Sequence, residues 1–251
     1  MKTSISDEKM YRDFCKEASE DKSIFKTFKR DPRYTSILEH TSKDQGEALL
    51  QWCLNNKNFS QKKLSAAKLN DNQGWPVKEF YQDEIGEISP SSLRYLKCAI
   101  ELENMFGDLS DKNIVEIGVG YGGLCGILKN IFNVKSYTLI DLPEPIELTK
   151  KYLNDSSNIY ISDMDLLSEK SYDLVISNYA FTECIKEVQD LYIEKILQKS
   201  LNGYITYNNI SHLFNVSSYD KKHLKELLSM KEKDEYPLTS NDNCILYWKN
   251  D

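Results

Sequence analysis

The stretch Ile114-Val115-Glu116-Ile117-Gly118-Val119-Gly120-Tyr121-Gly122-Gly123 decides the fold. A short apolar run ends in closely spaced glycines. Leu124, Ile127, Leu128 and Ile131 then recur at the i, i+3, i+4, i+7 spacing of an amphipathic helix. Strand, tight turn and helix in that order open a βαβ unit. Further apolar runs follow at 137–140, 159–161, 174–176, 204–207 and 244–248, with helical patterns at about 145–153, 185–200 and 220–229. This alternation predicts a largely parallel sheet with helices on both faces. In such sheets ligands bind beyond the carboxyl ends of the strands, beside the switch point.

Upstream of residue 110 the texture is different. Leu49 and Cys53, with Leu50 and Leu54, show helical spacing, and a clearer helix starts at Ser89-Pro90. Ser suits the cap and Pro the first helical position. That helix places Leu93, Leu96 and Ile100 on one face and runs to about Phe106. The chain therefore divides into a helical N-terminal extension over 1–88 and an α/β domain over 89–251.

At 251 residues, with 40% hydrophobic and 28% charged, one large domain or a domain with an extension is expected. The 16 Tyr, 9 Phe and 3 Trp exclude a wholly disordered chain, and 10 Gly and 6 Pro exclude a collagen-like one. A net charge of −7 disfavours long nucleic acid and anionic membranes as partners. Lysines alternate with acids, as in Lys231-Glu232-Lys233-Asp234-Glu235, a run predicted to be solvated surface. None of the six Cys forms a CxxC pair, no metal-ligand spacing is present, and no run approaches a membrane span. The first ten residues carry no apolar signal core, so a soluble, cytoplasmic, thiol-reduced protein is expected, and a homo-oligomer is compatible with this composition.

Gly118, Gly120 and Gly123 fit G-x-G-x-x-G formally, so an NAD-dependent oxidoreductase has to be weighed. Glu116, two residues before the first glycine, decides against it. A carboxylate at that place suits a cation and repels a pyrophosphate. S-adenosylmethionine (SAM) carries an ammonium and a sulfonium and no phosphate. Asp141, ending the second run, can accept both ribose hydroxyls, a feature common to NAD and SAM sites. Asp163, ending the third, can accept the adenine amine while Met164 packs on the base; alternatively it is a loop or cap acid.

Together, Glu116, Gly118, Gly120, Gly122, Asp141, Asp163 and the run 172–178 resemble the class I SAM-dependent methyltransferases. The segments Ile88-Ser89-Pro90-Ser91-Ser92-Leu93-Arg94-Tyr95, Ile140-Asp141-Leu142-Pro143-Glu144 and Ser177-Asn178-Tyr179-Ala180-Phe181-Thr182-Glu183 are similar to the sugar O-methyltransferases of bacterial polysaccharide and natural-product gene clusters. The similarity covers roughly residues 75–210. It implies a Rossmann-like sheet of about seven strands with the last pair reversed, and SAM as methyl donor. Cofactor contacts then fall to Glu116, Gly118, Gly120, Gly122, Asp141, Leu142, Asp163, Met164 and Asn178.

A sugar hydroxyl needs a base, which adds roughly 10²–10⁴-fold. His212 after the fifth strand and Glu183 after the fourth are the candidates, His212 slightly favoured by its ordinary pKa. Tyr179, Asn208 and Asn209 can bind the acceptor, and Arg94-Tyr95 can hold a substrate anion or the SAM carboxylate. The expected partner is a small-molecule acceptor: a sugar, sugar nucleotide or related precursor of a surface glycan, or a phosphorylated or amidated metabolite of capsule assembly. The N-terminal helices are expected to cover its pocket. A non-catalytic SAM-binding protein is the alternative outside enzymology. Methylation of a nucleic-acid base amine is disfavoured, because no paired prolines separate Asn178 from the aromatic residues and the chain is acidic.

Overall fold

The computed structural model describes residues 3–167 and 171–250. Five helices come first: α1 (Lys9–Glu20), α2 (Lys22–Phe25), α3 (Pro32–Thr35), α4 (Lys43–Leu54) and α5 (Gln61–Leu69). A two-stranded hairpin, β1 (Glu79–Phe80) with β2 (Glu87–Ile88), interrupts this helical region before α6 (Pro90–Phe106). The α/β part then runs β3 (Asn113–Ile117), α7 (Gly123–Ile131), β4 (Ser136–Ile140), α8 (Pro143–Leu153), β5 (Ile159–Ile161) and β6 (Tyr172–Asn178). It ends with α9 (Lys186–Lys195), β7 (Ser200–Tyr207), α10 (Lys221–Leu228), β8 (Lys231–Asp234) and β9 (Cys244–Lys249).

The strands β3 to β9 form one seven-stranded sheet in the order β5-β4-β3-β6-β7-β9-β8. From β5 to β7 all pairings are parallel; β9 pairs antiparallel with both β7 and β8. Only β9 is reversed, because β8, antiparallel to β9, points the same way as β7. The crossover direction changes beside β3, which opens the crevice where the sequence places its acids. Among the described residues no helix is long and apolar enough to cross a membrane.

Alternation along the strands feeds two cores. Ile114, Leu139, Ile176 and Tyr204 face α4 to α7, and Val115, Ile117, Val175 and Ile205 face Ile193 of α9 and Leu224 of α10. A third, aromatic cluster joins Tyr11, Phe14, Phe28 and Tyr34 to Tyr121 and to Leu148 and Tyr152 of α8. All six cysteines are buried free thiols.

The charged run at 231–235 departs from the expectation of plain solvated surface. Residues 231–234 form the edge strand β8, and Lys231, Glu232 and Asp234 are exposed as anticipated. Charged side chains are a common guard on such an edge. Glu235, however, is only 7% exposed and belongs to the site described below.

The glycine turn is tight for two reasons. Gly118 sits at φ +77°, where a β-carbon is strained, and a β-carbon there would lie 2.0 Å from that of Ala180. Gly86, at φ +67°, has only the tip of Lys68 nearby, at 3.9 Å. Gly118→Ala should therefore cost about 2–5 kcal/mol, combining strain and overpacking, and Gly86→Ala only about 1–2 kcal/mol. Urea midpoints at unchanged slope measure both, and equal losses would refute the close approach.

Candidate functional site

The carboxyl ends of β3, β4, β6 and β7 carry most of the residues singled out by sequence. Glu116 lies in β3, 4% exposed, and its Oε2 accepts a hydrogen bond from the Tyr137 hydroxyl at 2.6 Å. Burial pushes its carboxyl up to about 8, against the lowering effect of Tyr137; Asp141 adds a repulsion that raises it further.

Asp141 follows β4 and staples two turns. Its carboxylate accepts from the backbone N–H of Gly120 at 2.9 Å and of Leu142 at 2.8 Å. Burial raises it to about 6, and these N–H groups limit the rise. The N–H of Val119 also donates to the carboxylate, and acceptor capacity on it remains for a ligand. Leu142 is the N-cap of α8. Asp163 lies just beyond β5, exposed, and caps a short 3-10 helix by accepting from Asp165 N–H at 2.9 Å. Met164 packs partly buried against the second core.

A second group of residues gathers beyond β6 and β7. Asn178 Oδ1 accepts from Thr206 Oγ1 at 3.0 Å, and its amide lies 3.9 Å from Cys98 Sγ of α6. Glu183 Oε1 accepts from Asn208 Nδ2 at 2.6 Å, while Asn208 Oδ1 accepts from Thr182 Oγ1 at 3.1 Å. Burial raises the Glu183 carboxyl and the Asn208 bond opposes it, yet the side chain keeps solvent contact. Ser211 Oγ donates to Thr182 O at 2.8 Å, so the backbone beside His212 is drawn to the Glu183 turn. The His212 side chain itself lies outside what is described. Asn209 is exposed at the same end of the sheet.

Three features escaped the sequence reading. Tyr179 is left-handed, φ +69°, with its hydroxyl 2.5 Å from Glu235 Oε1 and 2.9 Å from Thr239 Oγ1. The loop after β8 thus reaches the end of β6. The N-terminal segment crosses the same edge: Ile5 N–H donates to Glu183 O, and Ile185 N–H to Thr3 O. From there α1 lies along α8, where Arg12 makes paired hydrogen bonds to Glu144 at 3.0 and 2.8 Å. Finally, Leu38 occupies the space a Gly120 β-carbon would fill, and Glu39 accepts from the Tyr121 hydroxyl at 2.8 Å. Left-handed backbone, inter-element pairing and long-range contacts leave no local pattern to read. A separate cavity of about 170 Å³ lies at the start of α6, lined by Glu39, Lys43, Glu79 and Ser91 among others.

No protein-family model and no curated protein matches the chain. Among solved structures it is similar to a protein of Thermoplasma acidophilum (21% identity; 64% of this chain and 90% of that one; TM-score 0.45). It is also similar to the N-methyltransferase NodS from Bradyrhizobium japonicum WM9 in complex with S-adenosyl-L-homocysteine (14% identity; 62% and 85%; TM-score 0.49). A TehB-like SAM-dependent methyltransferase from Corynebacterium glutamicum is a third (13% identity; 61% and 86%; TM-score 0.46). These are distant likenesses of fold; the architecture above rests on strand order and register.

The raised Glu116 carboxyl has a measurable consequence. The folded protein holds this proton more tightly than the unfolded chain, so the group's stabilising contribution is full below about 4.5 and is lost as pH rises through about 8. Tyr137→Phe removes the bond that lowers the carboxyl and should move the end of that loss to higher pH. Glu116→Gln should flatten the region. Urea unfolding from pH 5 to 9 reads all three, and an unchanged profile in Glu116→Gln would overturn the assignment.

Proposed function

We propose that the chain is a SAM-dependent methyltransferase. Its acceptor is a hydroxyl of a sugar, sugar nucleotide or related polar precursor of a bacterial surface glycan. The observation that supports this most is the acid pair Glu116 and Asp141 on either side of a glycine turn that contains no Lys or Arg. The donor set suits a cation and a diol and offers a pyrophosphate no side-chain cation, which disfavours NAD. Glu116 is bonded only to Tyr137, so its carboxyl has capacity left for an ammonium. Asp141 has capacity for the ribose, Met164 and Asp163 stand near the place of the base, and Gly118 and Gly120 admit backbone approach.

When bound, SAM supplies a methyl group already activated on a sulfonium. The protein's first task is then alignment, worth about 7–11 kcal/mol when two reactants are well held. Asn178, Tyr179 and Asn208 border the place where the acceptor hydroxyl would lie. Glu183 takes the hydroxyl proton, oriented by Asn208; its carboxyl, raised by burial, is a stronger base than an ordinary glutamate. We assign the base role to Glu183 rather than to His212, the candidate favoured by sequence, because Asn208 orients its carboxylate. The N-terminal segment, paired with residues 183–185 and seated on Gly120 through Leu38, forms the cover of the acceptor side.

Titration calorimetry with S-adenosylhomocysteine tests the reading. Wild type should bind, and Glu116→Gln and Asp141→Asn should each lose about 1.5–3 kcal/mol, the range for a charge-assisted hydrogen bond. A folded wild type that does not bind would sink it. In turnover assays against a panel of sugars, Glu183→Gln should lower the rate roughly 10²–10⁴-fold with binding of S-adenosylhomocysteine retained. A larger loss in His212→Ala would return the base role to His212.

A further inference from the structure

The chain has four arginines. Arg12 is held by Asp7 and Glu144, Arg33 by Asp31 and Glu17, and Arg30 by the carbonyls of Trp75 and Pro76. Arg94 has no such partner: no carboxylate among the described residues comes within salt-bridge distance of it. The guanidinium carbon lies 5.6 Å from the ring centroid of its chain neighbour Tyr95, whose hydroxyl also accepts a hydrogen bond from it. The side chain is half-buried and retains solvent contact.

Its place in the fold is set by α6. Ser89 caps that helix, and Arg94 lies one turn before Cys98, which touches Asn178 at the end of β6. Beyond Tyr95, the groups that act on it most strongly are Tyr179 and Glu39. Both of these are left-handed non-glycine residues, at φ +69° and +59°. Such conformations persist only where the surroundings impose them, and they cluster at functional sites. Both also turn their polar ends elsewhere, Tyr179 to Glu235 and Thr239, Glu39 to Tyr121. Glu39 acts on the guanidinium through its charge and forms no ion pair with it.

A half-buried guanidinium with no ion-pair partner keeps donors free for a ligand, and its planar fork matches an oxyanion in bidentate fashion. We propose that Arg94 is the anion receptor of the acceptor subsite, and that the methylated molecule carries a phosphate or carboxylate beside its reacting hydroxyl. The word acceptor rests on the methyltransferase reading; the receptor itself does not. Tyr179, at the end of β6, is among the groups that act most strongly on Arg94, whereas neither Glu116 nor Asp141 is. That location favours the acceptor over the methionine carboxylate as the source of the anion. His40, exposed and also within electrostatic reach of Arg94, marks the entrance.

The test uses the full chain and inorganic phosphate at constant ionic strength, followed by calorimetry with chloride as the reference anion. Wild type should bind phosphate saturably. Arg94→Gln should weaken binding at least about tenfold, and Arg94→Lys, which keeps the charge and loses the fork, should fall between. Phosphate no tighter than chloride, or equal binding in wild type and both variants, would overturn the receptor; if Arg94→Gln does not fold, the Arg94→Lys comparison decides. Repeating the titration with S-adenosylhomocysteine and with 5′-methylthioadenosine, which lacks the amino-acid end, locates the anion. Phosphate binding that survives both supports the acceptor subsite. Phosphate expelled by S-adenosylhomocysteine alone assigns Arg94 to the methionine carboxylate and overturns the proposal. Wild type that binds phosphate but not S-adenosylhomocysteine fails the methyltransferase reading and leaves the receptor standing.

Discussion

The carboxylate of Asp141 joins the turn after β3 to the turn after β4 by accepting from the N–H groups of Gly120 and Leu142. Much of the functional edge depends on that staple. It helps hold the left-handed sequence Gly118, Gly120, Gly122, and the absent β-carbons there leave a floor on which other segments can sit. Ala180 approaches that floor at Gly118 and Leu38 approaches it at Gly120, so the loop after β6 and the N-terminal helices are registered against the same turn. Burial pushes the acid up; backbone bonds from Gly120, Leu142 and Val119 hold it to about 6.

The N-terminal helices reach the turn through a buried polar knot. Lys29, 1% exposed, donates to Asn70 O at 2.5 Å and faces the rings of Tyr121 at 4.3 Å and Tyr152 at 4.6 Å. Asn70 in turn donates to the Tyr121 hydroxyl and to Ser92 of α6. Burial lowers Lys29 to about 8, with the charges of Glu39 and Asp71 opposing the fall, and aromatic faces and a carbonyl surround the ammonium. Tyr121 is therefore a member of the glycine turn whose ring and hydroxyl are held by three earlier segments. A loss in that knot would be felt at the crevice although none of its residues carries out chemistry.

Much of this was legible from period and punctuation. The strands at 113–117, 136–140, 172–178 and 200–207 are central and buried, so their apolar runs are continuous; Ser89-Pro90 marks α6 by its capping chemistry. β8 was not legible, because an edge strand made of Lys-Glu-Lys-Asp alternates charge with charge and has no apolar period. Glu235 was hidden for the same reason, its burial depending on Tyr179 far away in sequence. The acids Glu116, Asp141 and Glu183 could be found because each ends a readable strand. Their partners Tyr137, Gly120 and Asn208 could not, since hydrogen bonds across parallel strands obey register and leave no local mark.

The electrostatic layout follows from the same register. With Glu116 and Asp141 on adjacent strands, Asp141 makes one end of the crevice negative, and its repulsion is part of why Glu116 keeps its proton. An arginine near that end would pair with them and occupy the space a cation needs. The fold instead carries Arg94 on α6, toward the end of β6, with Glu39 fixed to Tyr121 and Tyr179 fixed to the loop after β8. Opposite charges are thereby kept apart within one cleft, each left without the partner that would silence it. Glu39 and Tyr179, both left-handed at that place, spend their polar ends on Tyr121 and on the loop after β8, and neither forms an ion pair with the guanidinium.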